Sequence, residues 1–199
     1  MSEARGSYHH GNLREELVRV ARDLARADGA ESIGIREATR RAGVTARAAY
    51  RHFADRDALV RAVAVSVLDE MAAAISARQV DAADGDALLT AVGEGYIAFA
   101  LDEPGWFDVA FFAMGALAQT AGRTPYTLLE EALAALVAEG RLDADRAGDA
   151  AMTCWSGVHG FATLTSRGPL QTLPRETIDD QARVVVADLV AAVTRRRAG

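Results

Sequence analysis

The groups best suited to grip a polyanion stand together: Ala42-Gly43-Val44-Thr45-Ala46-Arg47-Ala48-Ala49-Tyr50-Arg51-His52-Phe53, then Asp55-Arg56. Hydroxyl, guanidinium, phenol and imidazole groups donate hydrogen bonds to phosphate, and Arg47 can also bond guanine through two N–H groups. Ala46 and Ala48 are small enough to let a backbone approach a base edge and to touch a thymine methyl. Arg36 and Thr39 precede this stretch and are further candidates, with simple surface roles as the alternative. Arg56 stands near an expected helix N-terminus, where the dipole disfavours a cation. A nearby phosphate would account for it; a plain surface arginine is the alternative.

Other combinations offer less chemistry. Cys154 and His159 are five positions apart, so they do not share a helical face. No acid follows at catalytic spacing, and a nucleophile needs a base within hydrogen-bond reach. His9-His10 have no further ligands nearby and make a poor metal site. The sequence therefore predicts no catalytic residues, no enzyme, no metal and no cofactor. A third group is apolar: Tyr96, Phe99, Trp106, Phe107, Phe111, Met114, Met152, Trp155 and His159. Any one of these reads as ordinary core. Several together can wall an apolar pocket, with Tyr96 and His159 as its few polar groups.

The elements that must hold these groups are helices. Gly43 can adopt the left-handed conformation that a sharp helix-to-helix turn needs. Val44 plugs the turn from below, and Thr45 can cap the next helix by accepting a backbone N–H bond. Helices are expected over about Ile35–Ala42 and Ala46–Phe53, after a first helix with Leu13, Leu17, Val20 and Leu24 on its core face. Asn12 and Glu15 form a capping box for that first helix. Asp55 caps a longer helix with the stripe Val60, Val63, Val67, Met71 and Ile75. Residues 79–86 have loop composition. The run from Trp106 to Leu117 is apolar on nearly every side, as in a helix that is buried or lines a cavity. Asp143 or Asp145 starts a long helix that ends at Gly168-Pro169. The last helix spans about Arg175 to Arg197, with Ile178, Ala182, Val185, Leu189 and Val193 as its stripe.

Composition agrees. The chain has 199 residues, half of them hydrophobic, and only 4 Pro, and no Val/Ile/Thr alternation argues for a sheet. Every basic residue is Arg. The net charge is −6, but residues 1–56 hold 11 Arg against 8 acids, and residues 57–199 hold 11 Arg against 20. A basic head on an acidic body is expected when one end meets phosphate. Cys154 is the single cysteine, which suits a reducing compartment. No apolar run reaches membrane-spanning or signal-peptide character, so a cytoplasmic protein is expected.

The segment from Ser7 to Val67 resembles the DNA-binding domain of the tetracycline-repressor (TetR) family of bacterial regulators. The resemblance rests on His10-Gly11-Asn12-Leu13-Arg14, Asp28-Gly29, Ala42-Gly43-Val44-Thr45, Tyr50-Arg51-His52-Phe53 and Asp55-Arg56-Asp57-Ala58-Leu59. Gly34 departs from the Ser or Thr usual there, and Ala38-Thr39 from a larger apolar residue followed by Ala. Tyr96-Ile97-Ala98-Phe99-Ala100, Pro104-Gly105-Trp106-Phe107 and Trp155-Ser156-Gly157-Val158-His159-Gly160 are similar to the ligand domain of the branch named for a Trp-His-Gly motif. The resemblance implies that Tyr50 and His52 contact phosphates, that Arg51 does likewise or points to solvent, and that Arg36 and Thr39 ride on the helix crossing the DNA backbone.

The expectation is an all-α protein of about nine helices. Residues 11–58 form a three-helix DNA-binding head (motif about 34–53), and residues 59–199 a ligand-binding and dimerisation body. One small motif buries too little DNA for tight specific binding, so two copies on a two-fold axis should read a palindromic duplex. Gly157, Gly160, Val185, Leu189 and Val193 on the last two helices are the expected homodimer surface. A small apolar or aromatic effector in the body should release DNA, making the chain a repressor; an activator uses the same fold. The alternative from another class is a ligand-sensing scaffold or adaptor that no longer reads DNA, which would not need the Arg47/Tyr50/His52/Arg56 cluster.

Overall fold

The computed structural model describes residues 13–113 and 122–195. Among the described residues every regular element is helical: α1 (Leu13–Asp28), α2 (Ile35–Ala42), α3 (Ala46–Ala49), α4 (Arg56–Arg78), α5 (Gly85–Asp102), α6 (Pro104–Phe111), α7 (Pro125–Ala138), α8 (Ala147–Ser166) and α9 (Arg175–Thr194), with 3-10 turns at Ala30–Ser32 and Ala144–Arg146. The fold is the expected all-α one, with nine α-helices among these residues. None of the described helices is long and apolar enough to cross a membrane.

Local chemistry sets the boundaries. Asp55, Asp84 and Thr124 each accept a backbone N–H bond at the start of α4, α5 and α7, and Thr124 completes a capping box with Thr127. The stripe expected on α4 is buried throughout, from Val60 to Ile75. Each such side chain contributes roughly 1.5–3 kcal/mol by leaving water. Since α4 packs on α1 at one end and on α5, α6 and α7 beyond, a single rod belongs to head and body alike.

Several boundaries differ from expectation. Helix α3 is one α-turn, not a run to Phe53. The backbone bonds Arg51 N–H to Ala48 and His52 N–H to Ala49 tighten its continuation to i→i+3 spacing, and Phe53 then turns inward. Pro104 stands in the first turn of α6, which closes at Phe111, so within the described part of the apolar run the helix covers Trp106–Phe111. Met114 and the rest of residues 114–121 lie outside the described residues, as do Asn12, His9-His10 and residues 196–199. Helix α8 begins at Ala147 behind a 3-10 turn, without an Asp cap. On α9 the buried side is Ile178, Ala182, Val186, Val190 and Val193, one position away from the expected stripe at Val185 and Leu189, which are half-buried.

Candidate functional site

The head presents the motif as its sequence demands. Gly43 stands at φ 68°, ψ 26°, the left-handed conformation that releases α2 into the turn. Its N–H and that of Val44 return to the carbonyls of Arg40 and Thr39 at 3.3 and 3.0 Å. Thr45 Oγ1 accepts from Ala48 N–H at 3.3 Å and starts α3. Val44 is half-buried, while Ala49 and Phe53 are core, so the outward side is left to Thr45, Arg47, Tyr50, Arg51 and His52. Ala46 and Ala48 are half-buried between them. The Tyr50 side is open to solvent, with 55% of the residue exposed.

Charge pairing sorts the cations of this end. Arg40 and Arg41 both bond the Glu37 carboxylate, at 2.6 and 2.9 Å. Those hydrogen bonds, Arg40's first, hold the Glu37 carboxyl down to about 2. Arg36, Arg47 and Arg51 are exposed and make no ion pair among the described residues. Arg14 likewise makes no ion pair among the described residues and lies over the Phe53 ring at 5.4 Å.

Two sequence-derived candidates have other occupations. Thr39 is buried, and its hydroxyl donates to the Arg36 carbonyl at 2.9 Å. It does not reach the surface that Arg47 and Tyr50 occupy. Arg56 donates from Nε to the Ile33 carbonyl and from Nη2 to the Ala30 carbonyl, at 2.8 and 2.9 Å. A cation at this helix start is explained by carbonyls of the α1–α2 connection, without a phosphate.

In the body, part of the aromatic set converges. Tyr96, Phe107, Phe111, Trp155 and His159 form one group with ring centroids 4.9–6.1 Å apart. Phe112 joins it against His159 at 5.8 Å, and Tyr126 against Trp155 at 5.4 Å. The Tyr96 hydroxyl and His159 Nδ1 are hydrogen-bonded at 2.7 Å. Burial pushes the Tyr96 hydroxyl far above its ordinary range and the His159 imidazole below its own, so both are neutral near pH 7. Behind Tyr96 and Trp155 lies a cavity of about 20 Å³, lined by Leu89, Val92, Cys154, Val158, Val186 and Leu189 among others. It has room for about one water. Burial raises the Cys154 thiol to about 11, which keeps it protonated.

The remaining members stand elsewhere. Met152 is 61% exposed. Trp106 and Phe99 stack on each other at 6.4 Å and face the head. Trp106 Nε1–H donates to the Arg22 carbonyl at 2.8 Å, and the Arg22 and Arg26 guanidinium groups lie 4.4 and 4.9 Å from the indole centroid. Arg26 also pairs with Glu103, and Arg22 with Glu70 at 3.1 Å. At Gly105 a Cβ would meet the Ala25 carbonyl oxygen at 2.2 Å, so only glycine lets α6 sit this close to α1. Sequence reasoning missed this joint. The alternation of Arg22, Arg26 and a Pro-Gly-Trp opening was its only trace.

The last two helices divide the expected dimer residues. A Cβ at Gly157 would meet the Leu189 side chain at 2.9 Å, so these two pack within the protomer. Val193 is buried there as well. At Gly160 a Cβ would meet nothing within 4 Å among the described residues. Leu164 and Val184 are exposed apolar side chains of the same two helices.

Comparison with known proteins fits this geometry. Over 188 residues the chain is 27% identical to an uncharacterised HTH-type transcriptional regulator of Mycobacterium tuberculosis, covering 92% of this chain and 82% of that protein. A solved structure of a protein of unknown function from Rhodococcus sp. RHA1 matches with a TM-score of 0.79 at 25% identity, covering 96% of this chain and all (100%) of that one. A TetR variant from Acinetobacter baumannii AYE, solved in complex with minocycline, matches with a TM-score of 0.71 at 19% identity, covering 97% and 100%. The family of bacterial regulatory proteins of the tetR type matches residues 17–63, and the tetracyclin repressor-like C-terminal domain matches residues 89–189. With that second match alone spanning half of the sequence, the chain belongs to the TetR family of DNA-binding transcriptional regulators, whose C-terminal domain binds ligands.

Proposed function

We propose that this regulator is a repressor that binds a palindromic operator as a homodimer and is released by a small apolar effector. The observation that carries the DNA side is the sorting of cations. Among the described residues Arg36, Arg47 and Arg51 make no ion pair, and Arg47 and Arg51 share α3 and its continuation with Thr45, Tyr50 and His52, while Arg40, Arg41 and Arg56 are engaged within the protein. In this reading Arg47 reads a base, flanked by Ala46 and Ala48, and Arg36, Thr45, Tyr50, Arg51 and His52 hold phosphates. Residues 11–58 act on DNA, and residues 59–199 sense the effector and dimerise. The open flank of Gly160, with Leu164 and Val184, supports pairing through α8 and α9. Tyr96, Phe107, Phe111, Trp155 and His159 form the effector site, and the minocycline complex of the Acinetobacter protein is an instance of a ring compound held by this fold. Effector and DNA must prefer different states of the dimer, because a ligand with equal affinity for both would shift nothing.

Purified protein mixed with fragmented genomic DNA, recovered and sequenced, tests the reading. A palindromic motif should be enriched, and competitor duplexes lacking it should displace it poorly. Equal affinity for all duplexes would overturn sequence reading, and affinity that ignores salt would overturn phosphate contact.

A further inference from the structure

The ligand domain presents one polar pair inside an aromatic setting, and that pair constrains the effector's chemistry. Tyr96 and His159 bond each other, and neither Tyr96 Oη nor His159 Nε2 has another hydrogen-bond partner among the described residues. Between them they hold two mobile protons, one on oxygen and one on the imidazole, and one is spent on their shared bond. If the phenol donates, the N–H on Nε2 is spare and the phenol oxygen keeps a lone pair. If the imidazole donates, the phenol O–H is spare and Nε2 keeps the lone pair. In either tautomer the pair offers one donor and one acceptor, the complement of a single hydroxyl or, through the donor alone, of a carbonyl.

The surroundings reject charge. Among the described residues, neither the cavity behind Tyr96 nor the ring group contains a charged side chain. Arg167 lies over the Phe112 ring at 4.1 Å, and it is bonded to Asp108 at 2.5 Å. A carboxylate or ammonium placed among these rings would lose its hydration without gaining a counter-ion. The rings also favour a flat partner. Trp155 and His159 are parallel to within 3°, and Phe112 lies at 26° to His159.

We infer that Tyr96 and His159 are the polar anchor of the effector site, and that the effector class is an uncharged planar ring compound carrying one hydroxyl or carbonyl. This rests on the reading of the body as the effector site given above. The test uses the full chain and three probes of one shape, namely naphthalene, 2-naphthol and 2-naphthoate, measured by calorimetry at pH 8 and by release of the enriched operator. The cavity behind Tyr96, about 20 Å³, holds only about one water, so binding requires the rings to part; the native protein should bind 2-naphthol at least about tenfold more tightly than either of the others. His159→Phe should erase the preference over naphthalene, with naphthalene binding retained as the sign of an intact fold. Tyr96→Phe, which frees the tautomer without removing the imidazole, should reduce it. If naphthalene binds as well as 2-naphthol and releases DNA, the anchor is refuted and the apolar-effector reading stands. Tighter binding of 2-naphthoate refutes the exclusion of charge. If none binds while operator DNA is still held, the effector site itself is misplaced and the DNA reading survives.

Discussion

Replacing Arg56 by Ala separates a structural cation from a DNA contact. Its guanidinium makes two charge-assisted hydrogen bonds, to the carbonyls of Ile33 and Ala30 at 2.8 and 2.9 Å. Bonds of this kind contribute about 1.5–3 kcal/mol each when buried. The side chain is 42% exposed, so solvent competes for the same groups, and roughly 2 kcal/mol for both together is the better figure. In a chain of this size that is a fall of about 4–8 °C in the melting temperature. A phosphate contact has a different signature. Each one lost flattens the slope of log affinity against log salt by about 0.9, hence about 1.8 for a dimer. Arg51→Ala should show that flattening with little change in melting, and Arg56→Ala the melting change with an unaltered slope. Calorimetric melts and a salt titration on one operator duplex measure both. An Arg56→Ala protein that melts like the native one but loses the slope would refute the assignment of this arginine to the head's own backbone.

Arg47→Ala should weaken specific binding by roughly 1–3 kcal/mol and relax preference at one base pair per half-site; loss of affinity without change in preference would show that it contacts only phosphate. Gly160→Arg should give a monomer by light scattering with native helix content by circular dichroism, because nothing among the described residues lies near its Cβ and glycine is a poor helix former; a dimer of native affinity would move the interface off α8. Burial depresses the His159 imidazole, so its contribution to stability is complete above its ordinary value of 6.5 and declines as pH falls below it. Native protein should therefore lose more melting temperature between pH 8 and 5.5 than His159→Phe does, and equal losses would contradict that burial effect.

What was legible in the sequence was local. Gly43, Thr45 and Asp55 act through bonds to neighbours three or four residues away, and the turn and caps they predict are present. The α4 stripe was legible because burial on one side repeats with the helix. Arg56 was not, since its partners lie 23 and 26 positions back in the chain. The aromatic residues were recognised as a class but not sorted: adjacent positions on α6 are turned about 100° from each other, so Phe107 meets Tyr96 while Trp106 meets Arg22. Gly157 and Gly160 read alike in sequence. Only the placement of α9 makes one a seat for Leu189 and leaves the other open.

The joint between α1 and α6 bears on how freely such heads and bodies can be exchanged. A chimaera cut at residue 58 would divide α4, a single rod from Arg56 to Arg78. It would also part Arg22 and Arg26 from the indole they cover, Arg22 from Glu70 and Arg26 from Glu103. Any side chain larger than hydrogen at position 105 would strike the Ala25 backbone and hold the donor body away from the head. A transplanted ligand domain can seat on this head as the native body does only if it has a glycine where its own sixth helix meets α1, so the exchangeability of such domains is limited by one residue of the body as well as by the head.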